Sequence, residues 1–157
     1  MDNGSMNGAE IQRAIDAIHD QTLLRHGFTD DLRAYELLVQ RHRVEGGTSS
    51  PNHLRYLFRY CVEADVRTRL APEVWRTSLD ERLTDREIAR SGSIEGHIWV
   101  GSQELYPGGH LVDASDPARA WSDAIEIDFQ EIVLESNVQA ITLIFSDLEV
   151  AELDTAQ

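Results

Sequence analysis

The sequence predicts an α+β fold, an antiparallel sheet with an N-terminal helix and central helices packed on one side. Three observations predict it. The last third, FQEIVLESNVQAITLIFSDLEVAEL over 129–153, alternates apolar and polar residues as a hairpin and a further strand do. Helix starts stand upstream, at Asn7 with Glu10, at Pro72, and at Thr84 with Glu87. Helices are interspersed with hairpins instead of alternating regularly with strands, which argues against a doubly wound sheet. A length of 157 residues suits one domain. We expect a disordered N-terminus over 1–6, a single domain over 7–153 and a disordered tail over 154–157.

Asn7 and Glu10 have the spacing of a capping box, and Ile11, Ala14, Ile15, Ile18 and Thr22 follow at helical spacing. His26-Gly27 then closes the helix. In 32–42, Tyr35, Leu37 and Val39 alternate with Glu36, Leu38 and Gln40, which reads as a strand. VEGGTSSPN (44–52) is a loop. HLRYLFRYCVEADVRTRL (53–70) fits two structures. Leu54, Leu57, Phe58, Cys61, Val62 and Val66 fit a helix. Tyr56, Phe58, Tyr60, Val62, Ala64 and Val66 fit a strand, with Arg55, Arg59, Glu63 and Arg67 on its reverse. Aromatic and β-branched density favours one long strand pairing with 33–42.

Pro72 opens a helix whose buried stripe is Val74, Trp75, Leu79 and Leu83, and a short helix from Thr84 ends near Ser91-Gly92. HIWVGSQELYPGGHLV (97–112) breaks into two extended pieces around Pro107-Gly108-Gly109, and Asp116-Pro117 starts a helix holding Trp121 and Ile125. In the terminal hairpin, a two-residue loop at Ser136-Asn137 sets Glu135 against Val138, Ile132 against Ile141 and Leu134 against Gln139. Ile132, Leu134, Ile141, Leu143 and Phe145 then share an apolar face, and Glu131 and Glu135 point the other way. Between Phe145 and Leu148 the apolar phase slips by one, so a bulge or turn is expected at Ser146-Asp147.

Charge is the unusual property. The net charge is −14, all 14 basic residues are Arg, and Lys is absent. Residues 31–90 balance ten acids with 11 Arg, whereas 91–157 hold 13 acids and a single Arg, Arg119. A field of that sign repels nucleic acid and anionic lipid and attracts basic proteins. Solubility alone is the plain alternative. No run of 18 apolar residues spans a membrane, no secretory signal is visible, and the one cysteine, Cys61, excludes an internal disulfide. A cytoplasmic location is therefore expected.

Four segments resemble the YxiG-like family of small bacterial proteins: HLRYLFRYCVEADVRT, EVWRTSLDERLTD, HIWVGSQELYPGGHLV and ESNVQAITLIFSDLEV. With the helix ahead of HGFTDDLRAYELLV they cover nearly the whole chain. The resemblance brings no activity and no functional residues. The family name implies a genomic setting near a wall-associated toxin, and so an immunity-type role for some members.

The residues offer few sites for chemistry. His97, Glu104, His110 and Asp113 are the best metal-like grouping, of ligand types that suit zinc or non-haem iron, but their spacing matches no metal pattern. Cys61 stands near Arg59 and Glu63, where a guanidinium would favour the thiolate, though a buried inert thiol is the commoner case. No G-x-S-x-G elbow, Walker lysine or dinucleotide fingerprint occurs. Trp75, Trp99 and Trp121 read first as core anchors. The arginines Arg55, Arg59, Arg67 and Arg69 suit cross-strand ion pairs better than a phosphate site. The expected function is thus non-catalytic: an acidic protein-binding module, with no cofactor, in which Glu131, Glu135, Asp147 and Glu149 draw in a basic protein. A metal-dependent enzyme using 97–113 and an oligomer-forming module are the alternatives. Direct pairing of Arg55, Arg59 and Arg67 with Glu131, Glu135 and Glu149 would cancel the acidic surface.

Overall fold

The computed structural model describes residues 5–41, 53–68 and 103–153. Among them are nine strands: β1 (Thr22–Phe28), β2 (Ala34–Gln40), β3 (His53–Arg59), β4 (Glu63–Thr68), β5 (Gln103–Glu104), β6 (Gly108–Leu111), β7 (Gln130–Glu135), β8 (Gln139–Phe145) and β9 (Asp147–Leu153). There are two helices, α1 (Gly8–Asp16) and α2 (Asp116–Ile125). The strands form two antiparallel sheets, one ordered β5-β1-β2-β3-β9 and the other β4-β8-β7-β6.

The two sheets share a corner. β3 pairs with β9 up to Arg59 opposite Asp147, and β4 pairs with β8 from Glu63 opposite Ile144. Three residues, Tyr60, Cys61 and Val62, therefore stand opposite two, Phe145 and Ser146. The extra residue makes a bulge, and Tyr60 takes a left-handed φ of 51° to accommodate it. Both segments, β3–β4 and β8–β9, leave one sheet for the other there, bonded by the Val62 and Ser146 amides to the Ile144 and Arg59 carbonyls. Strands that switch sheets at bulges are how two-sheet proteins turn corners. The phase slip expected at Ser146-Asp147 is this switch.

Alternation then buries one face of each sheet. Tyr35, Leu37 and Val39 of β2, Leu54, Tyr56 and Phe58 of β3, and Ile132, Leu134, Ile141, Leu143 and Phe145 of the β7–β8 hairpin join one core with Leu148. Across it the Phe58 and Phe145 rings meet edge to face at 4.9 Å. Helix α1 inserts Ile11 and Ile15, followed by Ile18, into the same core. Asn7 and Glu10 form the expected capping box, and the Tyr56 hydroxyl donates to the Ala14 carbonyl at 2.6 Å. At Gly109 a Cβ would lie 2.6 Å from side chains of both Ile15 and Leu134, so only glycine lets α1 lie this close to β6.

Helix α2 lies elsewhere, on the outer face of the second sheet. Ala118 and Phe129 cover the outward side chain of Ile144, with Trp121 and Val62 packed alongside. Ser115 caps the helix by accepting from the Ala118 amide, and Pro117 fills its first turn. The helices expected over 72–91 lie outside the described residues.

Three expectations are corrected. The first helix ends at Asp16 and not at His26, because Asp20 takes a left-handed φ of 66° and 22–28 becomes a strand paired with β2. A register shift between Leu23 and Arg25 hides that strand's alternation. The long strand over 54–67 is two strands, β3 and β4; its pairing with 33–42 holds for β3 alone. In the hairpin the loop is Asn137-Val138, so Glu135 faces Ala140 and Ile132 faces Leu143. A slip of two residues keeps every side chain on its face, which is why the apolar set is as expected. Ser136 fixes the turn: its buried hydroxyl oxygen accepts from the Val138 and Gln139 amides.

Candidate functional site

The four carboxylates expected to make one acidic face belong to two sheets and to different local partners. Glu131 and Glu135 stand on β7, and Asp147 and Glu149 on β9. Glu131 accepts from the hydroxyl of Ser115 and so ties the start of α2 to β7. Glu135, half-buried, faces Ala140 near the end of the hairpin. Asp147 accepts from the backbone amide of Met6 at 3.1 Å, fixing the segment ahead of α1. Glu149 accepts from Arg59 at 2.9 Å.

Of the three arginines whose pairing would cancel that face, one meets it. Arg59 does meet Glu149, but Arg55 takes Glu36 at 3.3 Å and Arg67 takes Asp65 on its own strand at 3.0 Å. Glu36 also receives Arg25 at 3.7 Å, and Arg41 reaches Glu152 at 3.6 Å. The outer face of the first sheet is therefore a lattice of cross-strand pairs. Arg69 lies outside the described residues.

Around α2 the electrostatics differ. Among the described residues, Asp113, Asp116, Asp123, Glu126 and Asp128 enter no ion pair, and Arg119 is the one arginine in that part of the chain. Asp113, Asp128 and Glu131 border a cleft of about 740 Å3 beside α2, into which Arg119 also reaches. Asp116 sits in the first turn of the helix, where the helix dipole favours a negative charge.

Of the metal-like set, His97 lies outside the described residues. Glu104 is on β5 in the first sheet, where Thr22 donates to its carboxylate at 3.3 Å, and His110 is on β6 in the second. Asp113 follows β6. Among the described residues no group of three His, Cys, Asp or Glu is placed to hold a metal ion. Cys61 is buried at the corner, and burial pushes its thiol up to about 11, so it is protonated and unreactive at neutral pH. Trp121 is half-buried against Phe129, ring centroids 6.1 Å apart; Trp75 and Trp99 lie outside the described residues.

Two groupings had no signal in the linear sequence. One is a polar clasp joining the sheets at the far end of β8. The His26 ring nitrogens bond the Tyr35 hydroxyl at 2.6 Å and the Gln139 amide oxygen at 2.9 Å, and Gln103 donates to both Gln139 and Ser136. Burial raises the Tyr35 phenol to about 12, so the clasp is neutral at that member. The other is an apolar recess at the sheet corner, walled by Leu32, Tyr60, Ile125 and Ile127. Each draws residues from segments far apart in the chain, and their convergence depends on the bulge and on the β1–β2 hairpin.

The fold defines the class of protein: two antiparallel sheets sharing a corner, one helix in the core and one on an outer face. A family model of YxiG-like proteins matches residues 7–157, and the chain belongs to that family. No curated protein and no solved structure matches it. Among the described residues no helix is long and apolar enough to cross a membrane.

Proposed function

We propose that this chain is a non-catalytic acidic binding module whose partner is a basic protein, in an immunity-type role against a basic toxin in the cytoplasm. One observation carries the reading. The carboxylates over 113–128 stand without ion pairs among the described residues, while the acids on the outer face of the first sheet are matched to arginine. Unpaired exposed acids project a field that speeds the approach of a cationic surface and disfavours anionic ones. Short-range apolar contact then sets how long the complex lasts. The implied setting near a wall-associated toxin supports the immunity-type role, and the lone buried cysteine supports a reducing compartment.

The test is capture of partners from the native host by the full chain, followed by washing at rising salt. Between ~0.1 and ~1 M salt the screening length falls from about 10 to about 3 Å. The expected result is a basic protein, encoded beside this chain's gene, whose association rate falls steeply over that range. Retention indifferent to salt, or a bound protein without a basic surface, would overturn the reading.

A further inference from the structure

The recess at the sheet corner combines features that the rest of the described surface does not. Its walls are Leu32, Tyr60, Ile125 and Ile127, exposed by 71, 47, 47 and 40%. Its floor is apolar, made by Phe129 and the protonated thiol of Cys61. The cavity measures about 530 Å3, room for one large side chain from outside. The four wall residues come from three segments: the tip of the β1–β2 hairpin, the bulge between β3 and β4, and the end of α2.

Backbone strain converges on the same place. Among the described residues five non-glycine positions have φ in the left-handed region, and three of them are here: Leu32 (59°), Tyr60 (51°) and Glu126 (66°). Such conformations cost stability in branched or bulky residues, and they concentrate where function needs a particular display. At Leu32 and Tyr60 the cost is met and the side chain is nonetheless left in water.

The rim supplies the sign of the partner. Asp31 lines the recess itself; in the sequence Asp30 and Asp31 precede Leu32, and Asp123, Glu126 and Asp128 stand beside the two isoleucines, all of them exposed. Arg33 is the one guanidinium among these five carboxylates that lines the recess. Arg59, next along the chain from Tyr60, has its guanidinium held by Glu149 and lies 5.6 Å over the Tyr60 ring. Hydrogen bonds from Thr29 and the Arg33 amide hold the Asp31 carboxyl below the usual carboxylate range, so it keeps its charge into mildly acid solution.

We propose that this recess is the docking site for a basic protein partner, which inserts one large apolar side chain between Leu32, Tyr60, Ile125 and Ile127 while its flanking lysines or arginines meet Asp30, Asp123 and Asp128. The inference rests on the acidic-module reading and moves its contact surface from the sheet residues Glu131, Glu135, Asp147 and Glu149 to the corner. An apolar anchor in a desolvated centre, ringed by complementary charge, is the usual anatomy of a specific interface.

The test titrates the isotope-labelled full chain with three short peptides of equal length: lysines around a central Trp, lysines alone, and an uncharged peptide with the same Trp. The expected result is that amide shifts from the lysine–Trp peptide gather at 30–33, 60–62 and 123–129, and that it binds at least about tenfold more tightly than either other peptide. The variant Leu32→Ser/Ile127→Ser should lose that advantage and leave lysine-only binding unchanged. Asp30→Asn/Asp123→Asn/Asp128→Asn should weaken both cationic peptides. All five positions are exposed, and an unchanged amide spectrum elsewhere shows that each variant is folded. Equal binding of the two cationic peptides with shifts centred on Glu135 or Glu149 would overturn the corner as the site and leave the acidic module standing. No binding by either cationic peptide would overturn both. Equal binding of the uncharged Trp peptide, or a dimer of the free chain that Leu32→Ser/Ile127→Ser dissolves, would show a different occupant and overturn the proposal.

Discussion

On the outer face of the first sheet, Glu36 sits between Arg25 and Arg55, and Glu149 holds Arg59. On the outer face of the second, Glu131 holds a hydroxyl, and a helix covers Ile144. The difference follows from where arginine is available. β2 and β3 come from 31–90, which balances acid with base, and β1 brings Arg25, so an acid on one strand finds a guanidinium on the next. β7, β8 and α2 come from 91–157, where 13 acids share one Arg. There a carboxylate is either used structurally, as Glu131 is, or left in solvent. The linear imbalance thus becomes a spatial one: a neutralised face and an acidic one.

The comparison breaks most directly if the helix can be lifted from the second sheet. Phe129 joins Ala118 and Ile144 beneath α2 and is almost fully buried. Phe129→Ala should cost about 3–5 kcal/mol by urea denaturation, the ordinary loss for a truncated buried aromatic. The Trp121 fluorescence should shift toward that of solvent-exposed indole, since its ring packs on Phe129. A loss under ~1 kcal/mol with Trp121 unchanged would mean that the helix cover does not depend on this contact.

Much of this architecture was legible in the sequence, and the gaps have local causes. The helix cap at Asn7, the strand at 34–40, the start of α2 and the apolar face of the terminal hairpin all follow from period and capping chemistry. β1 was hidden because Ile18 and Thr22 continue the helical period by coincidence while the bulge beside Leu24 erases the strand period. The break in 54–67 was hidden because Tyr60 and Val62 carry the alternation on through three residues, 60–62, that belong to neither strand. The acidic imbalance was legible; which acids would be neutralised was not, because that depends on partners brought in by pairing. Glu149 lost its freedom to Arg59, 90 residues away.

A smaller effect tests the structural use of Glu131. Ser115 both caps α2 and donates to that carboxylate. Ser115→Ala should cost about 0.5–2 kcal/mol, the usual loss of an N-cap, and Ser115→Thr should recover most of it. If Glu131→Gln is then nearly silent in the Ser115→Ala background but not in the parent, the two residues act as one unit. Independent, additive losses would mean that Glu131 is simply another solvated acid, and the contrast between the two faces would weaken.

The smallest effect lies on the neutralised face. Arg59 and Glu149 are each about half exposed, so solvent screens their attraction despite the 2.9 Å contact. A double-mutant cycle with Arg59→Gln and Glu149→Gln should give a coupling of roughly 0.2–1 kcal/mol, falling as salt rises. Its value lies in what it does to charge, not to stability. Arg59→Gln alone leaves Glu149 uncompensated and should speed association with a basic partner, because one more negative charge then faces solvent. Glu149→Gln should slow it by a similar factor. If both substitutions leave the association rate unchanged while removal of acids at 123–128 slows it, the ion-paired face is electrostatically silent and the partner is drawn to the α2 side alone.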